Sequence, residues 1–197
     1  MVYCSGCRLL LGNCICKFRP NCKTSKHWLL LTHSSEAKKR NNSGFHAKKI
    51  LGEQVSVQYW QRKQEHVVYQ SEVLKDKSPV LLFPKAFTAE TTFVSESYCE
   101  QWRDQPVVVL DATWQQAKKM YRQSPWLQSL DVWSLPETLP EVLPGFRYQL
   151  RKGQAEGGCS TIEVIANVMA MLDEQDSARA MLRYFDLFQS DNNDPGK

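Results

Sequence analysis

A short apolar run, followed at once by a polar turn and a helix signal, most constrains what this chain can fold into. Val107–Leu110 is continuous and rich in β-branched residues, which predicts a strand buried on both faces, as in a parallel sheet. Thr113 with Gln116 fits a capping box, which predicts a helix from Trp114. Asp111 is therefore expected at the carboxyl end of a buried strand, where open α/β sheets bind ligands. The alternative is that Asp111 only caps the helix and Trp114 belongs to the core.

Strand and helix signals alternate along the rest of the chain. Further strands are predicted at residues 28–32, 54–60, 80–83, 130–135 and 148–150. Further helices are predicted after His33 until a break at 41–44, and at residues 46–51, 96–102, 161–172 and 178–185. This alternation predicts an α/β fold, a mostly parallel sheet with helices on both faces. The polar loops at 33–36, 84–88, 111–114 and 151–161 each follow a strand, and we expect them to form one ligand pocket.

Four cysteines form two closely spaced pairs near the N-terminus: Cys4 with Cys7, and Cys14 with Cys16. Four thiolates suit a tetrahedral zinc ion, and a Cys-x-x-Cys turn supplies two of them. We therefore predict a structural zinc knuckle in which Gly6 and Gly12 provide backbone freedom. Cys22 is close enough in sequence to replace one ligand. Free thiols and a redox pair are the alternatives, although no thioredoxin-like βαβ pattern surrounds the motif.

The overall composition is that of one globular domain with a small appendage. The 197 residues are 42% apolar and 23% charged, enough to bury a core. No apolar run approaches the roughly 20 residues of a membrane span, and the first residues lack the apolar stretch of a signal peptide. We expect a cytoplasmic protein whose seven cysteines stay reduced. The expected layout is a zinc-binding knuckle at 1–24, an α/β domain at 25–190 and a polar tail at 191–197.

Basic residues dominate the segment 17–49. It carries nine Lys or Arg residues and three histidines, and its one acid is Glu36. Such a local field favours a polyanionic partner, although charge runs are often only solvated faces. Neither a Gly-x-Gly-x-x-Gly motif nor a phosphate-binding Gly-Lys-Ser/Thr loop is present, which argues against a nucleotide hydrolase or a dinucleotide-binding enzyme.

Taken in order, these motifs resemble those of the DTW-domain family. The signature Asp-x-Thr-Trp is Asp111-Ala112-Thr113-Trp114 here. The supporting matches cover nearly the whole chain: the two cysteine pairs, His33-x-x-Glu36, Leu82-Phe83-Pro84, Tyr148-Gln-Leu-Arg-Lys152 and Ser160-Thr161-x-Glu163. Two positions depart from the pattern. Ser34 stands where members often have Pro and loosens the first loop, and Ala112 stands where they often have Gly.

The resemblance implies a tRNA-uridine aminocarboxypropyltransferase. Such enzymes move the 3-amino-3-carboxypropyl group of S-adenosylmethionine to N3 of a uridine, in bacterial members within the tRNA variable loop. The implied fold is SPOUT-like, with a knotted carboxyl half that binds the cofactor. Knots are rare, and nothing in the spacing of this sequence predicts one.

The resemblance also implies roles for individual residues. Asp111 is expected to act as a general base toward N3–H, or as a charge facing the sulfonium or the substrate amine. Cofactor contacts are implied for Leu82, Phe83, Pro84, Thr113, Trp114, Leu150, Arg151, Ser160, Thr161 and Glu163. Arg151 would pair with the cofactor carboxylate. For Ser160 and Glu163 the alternative is that they only cap their helix. RNA contacts are implied for His33, Lys38, Lys39, Arg40, Lys48, Lys49, Lys118 and Lys152, which predicts salt-sensitive binding.

Other functional classes stay open. Within enzymes, a SPOUT-like RNA methyltransferase or an aminocarboxypropyltransferase acting on ribosomal RNA fits the same motifs, and the mass of the product separates them. A zinc-bearing RNA-binding protein without catalysis is the third hypothesis. Both a monomer and a homodimer agree with the sequence.

Overall fold

The predicted central strand lies in the middle of a parallel sheet in the computed structural model of the protein. The strands are β1 (Trp28–Thr32), β2 (Val55–Tyr59), β3 (Val80–Leu82), β4 (Val94–Ser95), β5 (Val107–Asp111) and β6 (Val132–Trp133). Among the residues that the structure describes, these six strands join in the order β2-β1-β5-β3-β6-β4, and every pairing is parallel. The α/β class and the mostly parallel sheet are therefore confirmed.

The structure describes residues 2–62, 77–88, 90, 92–136, 142 and 159–192. The chain divides into two compact units. Unit 1 comprises Met1–Thr24, Lys39–Gly52 and Pro140–Lys197, and unit 2 comprises Ser25–Lys38 and Glu53–Leu139. The predicted strand at 148–150 and the loop at 151–158 lie outside the described residues. The predicted layout of 1–24, 25–190 and 191–197 stays a prediction.

Unit 2 is built on the sheet. The strand β1 is buried along its whole length, as a continuous apolar run requires in a parallel sheet. One face of the sheet packs against α3 (Trp114–Arg122) and α4 (Pro125–Gln128). The side chains of that core include Leu29, Leu31, Val108, Met120, Tyr121, Trp126 and Leu127. The presence of helices on the second face stays a prediction.

In the described residues of unit 1, three α-helices pack together. They are α2 (Ser43–Leu51), α5 (Thr161–Met171) and α6 (Gln175–Asn192). Most residues of the predicted apolar stripes are buried: Ile162, Ile165, Val168 and Met169 on α5, and Ala178, Met181, Leu182 and Phe185 on α6. The fifth residue predicted for the α5 stripe, Leu172, follows the end of the helix and is only half-buried. The helix α6 continues two residues into the segment predicted as a polar tail. Within the described part of the chain, no helix combines the length and apolarity needed to cross a membrane.

Several boundaries differ from the predictions because side chains cap and end these elements. The helix α1 (Ser34–Ala37) ends before the basic residues 38–40 that were expected to belong to it. The helix α2 begins at Ser43 instead of His46, because the Asn42 side chain accepts a hydrogen bond from Phe45 N.

Three further differences concern the sheet and its surroundings. The strand β4 was not predicted, since two residues carry no periodic signal. The helix expected at 96–102 is a 3₁₀ turn at Glu100–Trp102. The strand β2 does not alternate as expected, since Val55 is buried, the next three residues are half-buried and Tyr59 is exposed.

Candidate metal centre and sheet-edge site

The four predicted cysteine ligands lie together in unit 1. The sulfur atoms of Cys4, Cys7, Cys14 and Cys16 all lie within 4.8 Å of one another. Individual separations are 3.6 Å for Cys4–Cys16, 3.8 Å for Cys7–Cys14 and 3.4 Å for Cys4–Cys14. Sulfur atoms around a tetrahedral zinc ion, each about 2.3 Å from the metal, are separated by about 3.8 Å. The cluster can therefore hold a metal ion such as zinc.

The local backbone holds these sulfur atoms in place. Cys4 N donates to Leu9 O at 2.7 Å and Arg8 N donates to Cys4 O at 2.7 Å, which closes the first turn. Hydrogen bonds from the backbone of Cys7 and Gly6 lower the pKa of Cys4 to about 6, whereas burial raises the pKa of Cys16 to about 12. Four thiolates at such distances repel one another, so a central cation is what allows all of them to be ionised.

The two glycines of the knuckle differ in the space around them. A Cβ on Gly6 would lie 2.6 Å from Cys16 Sγ, so this glycine is required by the close approach of a sulfur ligand. A Cβ on Gly12 would meet nothing within 4 Å. Neither residue has a positive φ. The predicted need for backbone freedom is therefore wrong, and only Gly6 is constrained, by space.

Cys22 is separate from the cluster. Its sulfur donates to Ser177 O at 3.3 Å, and Lys23 N donates to Ser177 Oγ at 3.1 Å. Burial raises the pKa of Cys22 to about 11, which keeps it a thiol. Cys22 therefore fastens this segment to the start of α6 and does not replace one of the four ligands.

Asp111 lies at the carboxyl edge of the sheet in unit 2. Its side chain is only 3% exposed, and Thr32 Oγ1 donates to its Oδ2 at 3.1 Å. Thr32 is also its register partner on β1. The helix cap is Thr113, whose Oγ1 accepts from Gln116 N at 3.3 Å. Trp114 is 39% exposed. The alternative in which Asp111 caps the helix and Trp114 belongs to the core is therefore wrong.

An aromatic surface lies beside this edge. The Trp114 ring meets Phe87 edge-on with centroids 5.0 Å apart, and Lys118 Nζ lies 5.5 Å from the Trp114 ring centroid. Phe83 is buried and stacks on Tyr121 at 4.6 Å, so its ring belongs to the core. Trp114, Phe87 and Lys118 together offer apolar area and a positive charge to a ligand.

The loops after β1 and β5 are joined by hydrogen bonds. Gln116 accepts from Thr113 N through Oε1 at 2.9 Å and donates through Nε2 to Ser35 Oγ at 2.8 Å. Ser35 Oγ lies 2.9 Å from His33 Nδ1. His33 stacks on Trp60 with ring centroids 5.8 Å apart. Two of the predicted functional loops therefore hold each other in place.

A second polar surface belongs to unit 1. Arg40 lies over the Tyr3 ring at 4.5 Å and Arg8 lies over the Phe45 ring at 3.7 Å. Arg8 Nη1 also donates to Lys39 O at 2.5 Å, which ties the knuckle to the turn before α2. Residues 1–52 carry ten Lys or Arg residues and one acidic residue. Residues 53–197 carry fifteen Lys or Arg residues and twenty acidic residues. The excess of positive charge is therefore concentrated in this part of the chain.

The remaining predicted residues have varied surroundings. Lys38 and Lys49 are exposed, whereas Lys48 donates to Gly52 O at 3.0 Å and so caps its own helix. His46, which the sequence grouped with the basic segment, is fully buried. Ser160 N donates to Glu163 Oε2 at 2.6 Å, so Glu163 does take part in the predicted helix cap. Leu150, Arg151 and Lys152 fall in the part of the chain that the structure does not describe.

Sequence reasoning did not single out five residues that contribute to these sites: Arg8, Ser35, Phe45, Trp60 and Phe87. Two of them, Ser35 and Phe87, do lie in the loops 33–36 and 84–88 that were expected to bind a ligand. Arg8 lies outside the basic segment, and the aromatic residues gave no local signal. Ser35 lies two residues after His33, in a His-Ser-Ser sequence at a strand end that is typical of a helix start. That pattern is the one local feature that would have indicated its role.

The comparison with known families adds to this geometry. A protein-family model described as the DTW domain matches residues 1–192 of the 197-residue chain. The chain belongs to the DTW-domain family. Its four-cysteine cluster, its Asp111-Ala-Thr-Trp114 turn and its two hydrogen-bonded loops are thus parts of a DTW domain. Membership is consistent with a tRNA-modifying enzyme. No solved structure matches the chain significantly.

Proposed function

We propose that this DTW-domain protein transfers the 3-amino-3-carboxypropyl group of S-adenosylmethionine to N3 of a uridine in the variable loop of tRNA. The family match supports the tRNA-modifying class. The observation that carries the proposal is the Asp111 carboxylate, 3% exposed, at the carboxyl end of the central strand. An exposed tryptophan follows it three residues later. A buried acid beside an open aromatic surface suits a reaction on a nucleobase.

The chemistry requires one proton acceptor and strict positioning. S-adenosylmethionine supplies an electrophilic carbon on its sulfonium; a bond forms between uridine N3 and that carbon, and the carbon–sulfur bond breaks. Methylthioadenosine leaves as a neutral thioether. N3–H has to lose its proton, and Asp111 takes it as general base through its buried carboxylate at the carboxyl end of β5. Its second possible role is a fixed charge facing the sulfonium or the substrate amine.

Other residues bind and orient the substrates in this proposal. Contacts with S-adenosylmethionine are assigned to Leu82, Phe83, Pro84, Thr113, Trp114, Leu150, Arg151, Ser160, Thr161 and Glu163. Because Phe83 packs into the core, its contribution is through the backbone. The sulfonium activates three carbons, so these contacts have to place N3 near the aminocarboxypropyl carbon and away from the methyl group. The knotted SPOUT-like arrangement of the carboxyl half is part of the proposal.

The metal centre and the basic residues bind RNA in this proposal. Zinc held by Cys4, Cys7, Cys14 and Cys16 is structural and shapes the knuckle, since four protein ligands leave no open position for chemistry. RNA contacts are assigned to His33 and, for the phosphates, to Lys38, Lys39, Arg40, Lys49, Lys118 and Lys152. Lys48 contributes less, because its ammonium already binds Gly52 O. Arg8 and Arg40, which lie over the Phe45 and Tyr3 rings, add positive charge to the same part of the chain.

The test is mass spectrometry of nucleosides from unmodified tRNA incubated with the purified protein and S-adenosylmethionine. The expected product is a uridine heavier by one aminocarboxypropyl group, together with methylthioadenosine. Asp111→Asn keeps the shape of the side chain and should reduce the rate at least a hundredfold, with RNA binding unchanged. Asp131→Asn, an acid outside the proposed site, is the matched control.

Other products decide between the alternatives. A uridine heavier by one methyl group would indicate an RNA methyltransferase. Transfer of the aminocarboxypropyl group to ribosomal RNA but not to tRNA would indicate an aminocarboxypropyltransferase whose substrate is ribosomal RNA. No product and no binding of S-adenosylmethionine would leave the zinc-bearing RNA-binding protein, in which Asp111→Asn changes nothing.

A further inference from the structure

We infer that Gln116 and Ser35 hold His33 in the tautomer that carries its proton on Nε2, so that the ring presents an N–H donor to a carbonyl oxygen of the target uracil. Gln116 and Ser35 are positioning residues in this inference, and His33 is the group that touches the substrate. The identity of the ligand rests on the proposed function. The assignment of the tautomer does not rest on the proposed function, and the tautomer can be measured without any reaction.

The hydrogen bonds around His33 determine which ring nitrogen carries the proton. Ser35 N, which can only donate, lies 3.3 Å from His33 Nδ1. Nδ1 is therefore an acceptor, and in the neutral ring the proton resides on Nε2. The Ser35 hydroxyl, 2.9 Å from the same nitrogen, is then oriented to donate as well.

Gln116 supports this direction of donation. Its Nε2, which can only donate, lies 2.8 Å from Ser35 Oγ, and its Oε1 accepts from Thr113 N at 2.9 Å. The amide orientation is thus set by the helix cap. Donation then runs one way, from the Gln116 amide to the Ser35 hydroxyl and on to His33 Nδ1. A chain of this kind polarises its members and strengthens each bond.

The ring plane is fixed as well. His33 stacks on Trp60 with an angle of 19° between the rings, and Trp60 Nε1 donates to Ser124 Oγ at 2.9 Å. His33 N donates to Asp111 O at 3.1 Å, so the residue begins at the same edge of the sheet as the proposed base. Among the described residues, no hydrogen bond is found for His33 Nε2. That atom is therefore available to a ligand.

An N–H donor at this edge suits the proposed reaction. When N3 gives its proton to Asp111, the negative charge spreads to the two carbonyl oxygens that flank N3. A fixed donor to one of them stabilises that charge before N3 attacks the carbon and the carbon–sulfur bond breaks. A ring with the proton on Nδ1 would present a lone pair to the same oxygen and would repel it.

The decisive variant is Gln116→Glu. A glutamate at this position still accepts from Thr113 N, so the capping box and the helix are kept. It has no N–H, so the Ser35 hydroxyl turns to donate to it and leaves His33 Nδ1. Gln115→Glu, an exposed neighbour with the same change of charge, is the matched control. Long-range ¹H–¹⁵N spectra report the tautomer, and with four histidines in the chain a His33→Gln sample assigns the signal.

We expect the wild-type ring to be mainly in the Nε2–H form. Gln116→Glu should lower the ratio of Nε2–H to Nδ1–H about fivefold, the equivalent of one hydrogen bond. Gln115→Glu should leave the ratio unchanged. A wild-type ring mainly in the Nδ1–H form, or the same ratio in all three proteins, would overturn the inference.

Kinetics test the role of the donor. Gln116→Glu should lower kcat about fivefold while KM for both substrates stays the same. His33→Gln, whose amide N–H can replace the ring Nε2–H, should be at least tenfold faster than His33→Leu. If Gln116→Glu shifts the tautomer of His33 but leaves kcat unchanged, the role of His33 as a hydrogen-bond donor to uracil is overturned, and the assignment of the tautomer stands. If wild type forms no aminocarboxypropyl product, the proposed function fails, and the spectra still decide the tautomer.

Discussion

Acidification should destabilise unit 1 through His46. This side chain is fully buried on α2, with the Phe188 ring centroid 4.0 Å away and Phe185 at 5.3 Å. Among the described residues, neither ring nitrogen has a hydrogen-bond partner. A charged imidazolium would lose its hydration here and gain nothing in return.

The size of the effect follows from two pKa values. The pKa of an unfolded histidine is about 6.5. Burial, assisted by the positive charges of Arg8 and Arg19, lowers the pKa of His46 to about 3 in the folded chain. Because the folded value is the lower one, neutral His46 contributes its full stability above pH 6.5, and this is lost as the pH falls toward 3. Between pH 7 and pH 5 the free energy of unfolding should fall by roughly 2 kcal/mol.

Urea unfolding at pH 7, 6 and 5 measures this loss. With an m-value of roughly 2 kcal/mol/M, the wild-type midpoint should fall by about 1 M at pH 5. His46→Phe places an apolar ring among aromatic neighbours and should remove that part of the pH dependence. His46→Leu serves the same purpose if the phenyl ring is too large. All samples contain a chelator, because acid also releases metal from cysteines and this contribution has to be equal in every protein.

The comparison of slopes decides the matter. If wild type and both variants lose stability in parallel between pH 7 and pH 5, His46 is not the group that takes up the proton. If the free energy of unfolding stays constant with pH for the wild type but falls for both variants, the His46 ring is charged in the folded protein and the burial argument is wrong.

Three further predictions concern the metal and the RNA surface. Gly6→Ala should lose bound metal, since its Cβ would meet Cys16 Sγ, whereas Gly12→Ala should keep it. Equal metal content in the two proteins would contradict this. Cys16→Ser should release metal, whereas Cys22→Ser should keep it and lower only the melting temperature. Arg40→Gln should weaken tRNA binding and reduce the slope of log K against log salt by about one; an unchanged slope would exclude a phosphate contact.

Where neighbouring residues decide the structure, the sequence was sufficient. The run before Asp111 is apolar on both faces, and a parallel sheet is where such a strand is stable. The capping boxes at Thr113 and Ser160 marked the starts of α3 and α5 because their partners are three residues away. The cysteine spacing was enough to place four sulfur atoms together.

Where residues that are distant in the sequence decide the structure, the sequence was not sufficient. The Gln116–Ser35 bond joins positions 81 residues apart, and local patterns contain nothing about such a pair. Gly6 is required because the sulfur atom of Cys16, ten residues later, leaves no space for a Cβ. An argument from backbone freedom alone does not predict this requirement. His46 was grouped with surface cations because its residue type is polar, and only packing against α6 shows it to be buried.

The strand order has a consequence for how the protein is made on the ribosome. The strand β1 needs β5 beside it, yet about 75 residues separate the end of one from the start of the other. At roughly 5–20 residues per second, the apolar segment Trp28–Thr32 waits about 4–15 s for its inner neighbour. Pairing between such distant segments is also slow to nucleate. The four cysteine ligands, by contrast, all lie between residues 4 and 16, so this cluster can close around a metal ion before β5 has been synthesised.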